Sequence, residues 1–433
     1  MRVWSTELHE HVGERVTLRG WLLNHRALAR VDFVILRDGQ GVCQIVVNDE
    51  DARAEAAGWF DETVFEVEGT PKENTQAPGG IELVDPVFRV VARTPEPPPV
   101  NLRVPEPKEQ LPYLLDHAAV ALRHPRRRAV FALGAASLAG MRAALDADCY
   151  TEIQTPKIVA SATETGANVF RIDYFGRPGY LAQSPQFYKQ MMVGVFERVY
   201  EIGPVFRAEP HDTVRHLAEY VSLDVELGFI DDHFDVMRVV HQVARGMVDG
   251  MHERAGRELA LLDLVLPEVP AEIPHIDFRA AQELIERETA ETGVVGEPDL
   301  APAHERWLGE WARREHASDF LFVVGYPMVK RPFYTHPDPQ RPEFSNSFDL
   351  LFRGLELVTG GQRLHLYDDY VRVLTEAGQD LEPYESYLEA FKYGMPPHGG
   401  FAIGWERWLA RLVEAQNVRE TTIFPRDINR LRP

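Results

Sequence analysis

The chain has 433 residues, of which 45% are hydrophobic and 10% aromatic, enough to bury a large core and to divide into two domains. Its formal charge of -21 excludes broad, non-specific nucleic-acid binding, which needs many phosphate-neutralising Lys and Arg side chains, while leaving room for a specific RNA held by local patches. No apolar run approaches the roughly 20 residues that span a bilayer, and the start MRVWSTELHE lacks a signal-peptide pattern, so a cytoplasmic location is expected.

Residues 1–93 read as all-β with one helix. ERVTLRGWLLN, DFVILRD, GVCQIVVN, TVFEVEGTP and IELVDPVFRVVAR each carry the alternation or β-branched enrichment of strands. DEDARAEAAGWFD, between the third and fourth, predicts a helix closing one end of a small barrel. This is the layout of an OB-fold, whose open face binds single-stranded nucleic acid, although a passive structural module has the same pattern.

Residues 94–112, TPEPPPVNLRVPEPKEQLP, cannot continue a sheet or helix and predict a stiff, extended linker. Residues 113–433 then mix helices and strands, predicting an α+β domain with a largely antiparallel sheet. VFRIDYF and YLAQ are expected to pair through the turn GRPG. RHPRRR is a local basic cluster at the start of this domain. Cys43 and Cys149, the only cysteines, lie far apart in apolar surroundings, which predicts two packing residues and neither a disulfide framework nor a thiolate zinc site. There is no internal repeat, no P-loop and no GxGxxG after a strand, so any nucleotide site must use another architecture.

The densest cationic stretch is GPVFRAEPHDTVRHLAEY, residues 203–220. VYEIGPVFRAE alternates like a strand, which puts Arg207 and Glu209 on one face, and EYVSLDVELGFI returns with Asp224 and Glu226 on one face. Strand, basic loop and strand carrying FRxE resemble the second motif of the class II aminoacyl-tRNA synthetases. GGFAIGWERWLARL, with Gly404, Glu406 and Arg407, resembles the third motif, and residues 134–156, ending at Pro156, resemble the first. FRAE alone is weak; three motifs in order behind an OB-like domain are specific. YLAQSPQFYKQ, TETGANVF, LELVTGGQRLH and RHLAEY are similar to signatures of the aspartyl branch in its compact archaeal form.

The resemblance implies an ATP-dependent ligase and gives roles to particular residues. Attack of a carboxylate on the α-phosphate needs fixed cations around a negative transition state. Arg207 is implied at the α-phosphate, and Arg407, Arg215 and His216 around the other phosphates. Glu209 would accept from the adenine amino group, with the base between Tyr220 and Arg407. Asp349 and Glu356, seven apart, with Thr359 close by, are implied as Mg2+ ligands, Glu356 also meeting ATP.

An aspartate pocket must reject asparagine, and a cationic clamp does so by leaving buried charge unpaired against a neutral amide. Lys189 and Arg363 are implied as that clamp. Ser184 as N-cap and Pro185 at the first helical position put Gln186 and Lys189 on one helix face. Glu164, Gln186 and Asp224 would meet the ammonium, Glu164 from a small-residue loop, while Tyr334 and Thr359 line the pocket.

In the first domain Phe33 and Gln44 resemble the anticodon-reading aromatic and amide, and His25 and Pro78 sit where the third letter is read. A compact proline-containing loop there resembles non-discriminating members, which charge tRNA(Asn) as well as tRNA(Asp). A homodimer through the first motif is also implied. Two rivals share this core: an asparaginyl-tRNA synthetase, which gains little from Lys189, and a tRNA-independent asparagine synthetase-like paralogue, which would lack the OB domain.

Overall fold

A computed structural model describes residues 2–160, 168–210 and 212–432. The alternating segments at the start close into a barrel of β1 (Val16–Ala27), β2 (Asp32–Arg37), β3 (Val42–Val47), β4 (Val64–Glu73) and β5 (Ile81–Ala92), in the order β1-β2-β3-β5-β4. Period-2 alternation sends Leu18, Val34, Leu36, Cys43, Ile45 and Val67 inward. The helix Glu50–Ala57 follows β3, and its N-terminus is capped by the Asp49 carboxylate, which accepts from Ala52 N at 2.9 Å. In the Pro-rich stretch, Val100 and Leu102 bury against Leu114 and Ala121. These residues belong to the first of two compact units, Met1–Pro125; the second is Arg126–Pro433.

The second unit adds β6 (Thr151–Glu152), β7 (Ile158–Val159), β8 (Arg171–Tyr174), β9 (Arg177–Leu181), β10 (Arg198–Phe206), β11 (Glu219–Gly228), β12 (His275–Asp277), β13 (Phe320–Val324), β14 (Ser347–Phe352), β15 (Leu355–Gln362) and β16 (His398–Gly404). Eight of them form one sheet in the order β12-β13-β14-β15-β16-β11-β10-β6, antiparallel except for the outer pairs β12/β13 and β6/β10. One face buries Leu223, Val225, Phe348, Leu350, Phe401 and Ile403 under the helices Pro125–Ala147 and His233–Arg254. Alternation therefore turns Ser222, Asp224, Glu226, Asp349 and Ala402 to the opposite face.

Those two helices touch backbone to backbone. A Cβ on Gly140 would lie 1.9 Å from the Gly246 carbonyl oxygen and 3.0 Å from Gly250 Cα. Gly140→Ala is expected to destabilise the unit by about 1–3 kcal/mol, seen as a lower denaturant midpoint; an unchanged midpoint would contradict this packing.

Several expectations shift. The hairpin turns at Phe175 and Gly176, both at positive φ, as the primed turns of tight hairpins require, so Arg177, Pro178 and Gly179 belong to β9 rather than to the turn. β10 ends at Phe206, which leaves Arg207 and Glu209 just beyond the strand. The helix Gln186–Phe196 starts one residue later than expected, with Pro185 as N-cap and the Ser184 hydroxyl accepting from Gln186 N at 3.0 Å. Cys43 is buried, which pushes its thiol up to about 12, but Cys149 is exposed at positive φ rather than buried in the core. The helix Pro125–Ala147 is long and apolar enough to cross a membrane by length and composition, and half of its apolar window is buried inside the protein.

Candidate active site

A cavity of about 530 Å³ opens on the polar face of the large sheet. The β10–β11 connection brings Arg207, Glu209, Arg215, His216 and Tyr220 to one wall. β15 and the turn after it bring Glu356, Thr359 and Arg363; Gln186, Tyr334 and Arg407 complete the lining among the expected residues. Segments more than 200 residues apart thus converge because β10, β11, β16 and β15 are neighbours in the sheet.

Arg207 is held at the strand end, where its backbone N–H donates to Ala218 O at 2.9 Å, and its guanidinium carbon lies 5.7 Å from the Tyr220 ring centroid. His216 Nε2 is 3.7 Å from Glu209. Arg407, in the first turn of the helix Trp405–Leu412, is 3.7 Å from Glu356. Its neighbour Glu406 is buried, and both carboxylate oxygens accept from Val221 N at 3.1 Å. Burial pushes the Glu406 carboxyl up to about 7, against the pull of the backbone N–H groups. Glu406 thereby ties the helix that carries Arg407 to β11.

Lys189 and Asp224 lie just beneath this lining, each only 1% exposed at the side chain, with Nζ 3.0 Å from Asp224 Oδ1 and 3.3 Å from Glu226 Oε2. Lys189 also donates to Phe401 O at 3.0 Å. Arg363, which does reach the cavity, donates to the other oxygen of Glu226 at 3.0 Å and to Gly400 O at 2.9 Å. Burial works to raise the Glu226 carboxyl, but Arg363 and Lys189 overcome it and hold the group below its ordinary value. Two cations and two carboxylates thus form a neutral cluster. Glu226 is the hub of this cluster, and its place on the same strand face as Asp224 was the signal in the sequence.

Asp349 is likewise buried, 3.0 Å from Arg331 Nη2, while Glu356 and Thr359 face the cavity with the Thr359 hydroxyl 3.3 Å from Glu356 Oε1. Loss of water raises the Glu356 carboxyl well above the carboxylate range, and Asp349 and Glu305 add to the effect against Arg407. Arg331 and Glu305 had no motif to mark them. Among the described residues no three His, Cys, Asp or Glu groups are arranged to enclose a metal by themselves. Glu164 lies outside the described residues.

In the barrel, Phe33 and Gln44 share the outer face, with Ile35 opposite Gln44 and Val46 opposite Phe33. Arg26 joins them, its guanidinium 5.6 Å from the Phe33 ring and 3.2 Å from Gln44 Oε1, and Gln44 Nε2 donates to Glu82 at 3.1 Å. Arg26 and Glu82 were not singled out from the sequence. His25 pairs with Val34, on the other parity, and its Nε2 is 2.8 Å from Asp32. Pro78 begins a short turn whose Gly79 carbonyl lies 2.8 Å from His9 Nε2.

Residues 110–428 match the family described as tRNA synthetases class II (D, K and N), and residues 16–91 match the OB-fold nucleic acid binding domain. The chain is 44% identical over 433 residues to an aspartate–tRNA(Asp/Asn) ligase of Thermus thermophilus, with 100% of each chain covered. It is 43% identical to a ligase of the same name from Deinococcus radiodurans, covering 100% of this chain and 99% of the relative. The crystal structure of asparaginyl-tRNA synthetase from Pyrococcus horikoshii complexed with asparaginyl-adenylate superposes with a TM-score of 0.92 at 30% identity, over 100% of both chains. A cavity ringed by arginines on an antiparallel sheet, preceded by a five-stranded barrel, and these matches lead to one conclusion: the chain belongs to the class II tRNA synthetases of the D, K and N group.

Proposed function

We propose that this chain is an aspartate–tRNA ligase that activates L-aspartate with ATP and charges tRNA(Asp) and tRNA(Asn). The α-carboxylate oxygen of aspartate attacks the α-phosphorus, the bond to the bridging oxygen breaks, and pyrophosphate leaves. A ribose hydroxyl at the tRNA 3′ end then attacks the acyl carbon of the adenylate, releasing AMP. Both steps need charge placement and no protein nucleophile. Arg207 stabilises the α-phosphate as charge builds there, Arg407, Arg215 and His216 bind the remaining phosphates, and Glu209 and Tyr220 hold the base.

The observation that carries the substrate assignment is the Arg363–Glu226–Lys189–Asp224 cluster at the cavity floor. A side-chain carboxylate arriving at Arg363 can accept two charge-assisted N–H bonds, whereas an amide offers a single neutral oxygen. Lys189 contributes its charge from just beneath, held in place by Asp224 and Glu226. This favours aspartate over asparagine, although the superposed structure is an asparaginyl enzyme. The names of the relatives from Thermus and Deinococcus support acceptance of both tRNAs.

The residues present fit Mg2+. Glu356 and Thr359 offer hard oxygens to the cavity, and Asp349 and Glu305 add negative field at Glu356 against the pull of Arg407 and Arg331. When bound, the ion neutralises phosphate charge. Asp349, already paired with Arg331, adds its field from behind. Residues 1–93 bind the anticodon through Phe33, Gln44, His25 and Pro78, residues 94–112 connect, and residues 113–433 catalyse, as a homodimer in the cytoplasm.

Charging of purified tRNA(Asp) and tRNA(Asn) with labelled aspartate, beside aspartate- and asparagine-dependent pyrophosphate exchange, tests this reading. Exchange with aspartate and charging of both tRNAs are expected. Replacing His25 or Pro78 should change the ratio of the two charging rates by about tenfold, the scale of one to two recognition contacts. Exchange with asparagine alone would overturn the substrate, and failure to charge tRNA(Asn) would overturn the dual acceptor.

A further inference from the structure

A closed set of buried hydrogen bonds lies behind Gln186. Gln190, one helical turn further on, accepts at Oε1 from Gln186 Nε2 at 3.0 Å and from the Tyr387 hydroxyl at 3.0 Å. Its Nε2 donates to the Tyr370 hydroxyl at 3.1 Å and faces His398 Nε2 at 3.0 Å. Tyr370 in turn donates to Leu364 O at 2.8 Å, and His398 Nδ1 lies 3.0 Å from Pro396 O. Gln190, Tyr370 and His398 have no solvent exposure.

The partners of His398 fix how both amides face, while the single Tyr387 proton has two acceptors in reach, Gln190 Oε1 at 3.0 Å and the Tyr370 hydroxyl at 3.2 Å. The Pro396 carbonyl can only accept, so the ring proton of neutral His398 sits on Nδ1 and Nε2 is an acceptor. The Gln190 NH2 must face that nitrogen, which turns Gln190 Oε1 towards Gln186. The Gln186 NH2 must then face Gln190. Since Gln186 lines the cavity, its carbonyl oxygen is the end left for a ligand. Burial holds the His398 ring down at about 4, against the pull of Glu226 and the Pro396 carbonyl and with the repulsion of Arg363 and His365, which favours the neutral ring.

We propose that Gln190 is a positioning residue that fixes the amide of Gln186 with its oxygen towards the substrate ammonium, an orientation set from the Pro396 carbonyl through His398. This rests on the aspartate reading above. The chain of bonds makes the pocket select an α-ammonium by wiring, independently of the clamp that selects the side-chain carboxylate.

Gln190→Leu removes the wiring without adding charge. It is expected to raise KM for aspartate by about tenfold or more in pyrophosphate exchange, the loss of one hydrogen bond to a charged group, with KM for ATP unchanged within about twofold. Inhibition by succinate, which lacks the ammonium group, should change by less than about twofold. Gln190→Glu keeps both acceptors towards Gln186 and Tyr387 but cannot donate to His398. In that variant the ring should take a proton on Nε2, seen by 15N NMR of His398 as a titration shifted to higher pH.

Equal losses for aspartate and succinate, or an aspartate KM unchanged in folded Gln190→Leu, would overturn the proposal. Should that variant not fold, Gln190→Glu decides: an unshifted His398 titration refutes the wiring. A wild-type enzyme inactive with aspartate would refute the substrate assignment instead, while the NMR result still reports on the bonds themselves.

Discussion

Arg207→Gln is expected to slow aspartate-dependent pyrophosphate exchange by about 10²–10³, the effect of removing one preorganised charge donor from a developing anion. The side chain is half-buried just beyond the end of β10, and its backbone N–H donates to Ala218 O at 2.9 Å. The expected signature is a fall in kcat in a variant that remains folded. Glutamine keeps donors and length but has no charge, so the loss measures electrostatics more than contact. A reduction smaller than tenfold in a folded variant would remove Arg207 from the α-phosphate.

Lys189→Met should have a different signature. It leaves Asp224 and Glu226 facing the same buried volume with only Arg363 to balance them, which costs about 3–5 kcal/mol of stability for a broken buried pair. The denaturant midpoint should fall accordingly. In the surviving folded enzyme, aspartate activation should suffer far more than ATP binding, because Lys189 contacts Asp224, Glu226 and the Phe401 carbonyl rather than the residues assigned to the phosphates. Equal losses for both substrates would contradict a role at the carboxylate. Double substitution with Glu226→Gln should recover part of the stability by removing one stranded charge, and additivity of the two effects would show that the cluster is not coupled.

Much of the fold was legible because it depends on local periodicity. Alternation placed all five barrel strands within a few residues of their ends and put Asp224 and Glu226 on one face. The motif residues Arg207, Glu209, Tyr220 and Arg407 all reach the same cavity, although the strand expected to carry the first two stops at Phe206. Periodicity missed what backbone conformation decides: the hairpin turn sits at Phe175–Gly176 because two successive residues there have positive φ, which proline and arginine disfavour.

The sequence by itself determined which chemical groups are available and on which face of each strand they stand, since side-chain direction repeats every two residues. Only the tertiary structure decided their partners. Lys189 reads as a free point charge until β11 and β16 pack over its helix and enclose it between two carboxylates; Gln190, His398 and Tyr370 read as ordinary residues until a sheet and two helices bring them into one dry space. Buried polar atoms must be matched one to one, and that matching is a property of the whole packed core rather than of any segment.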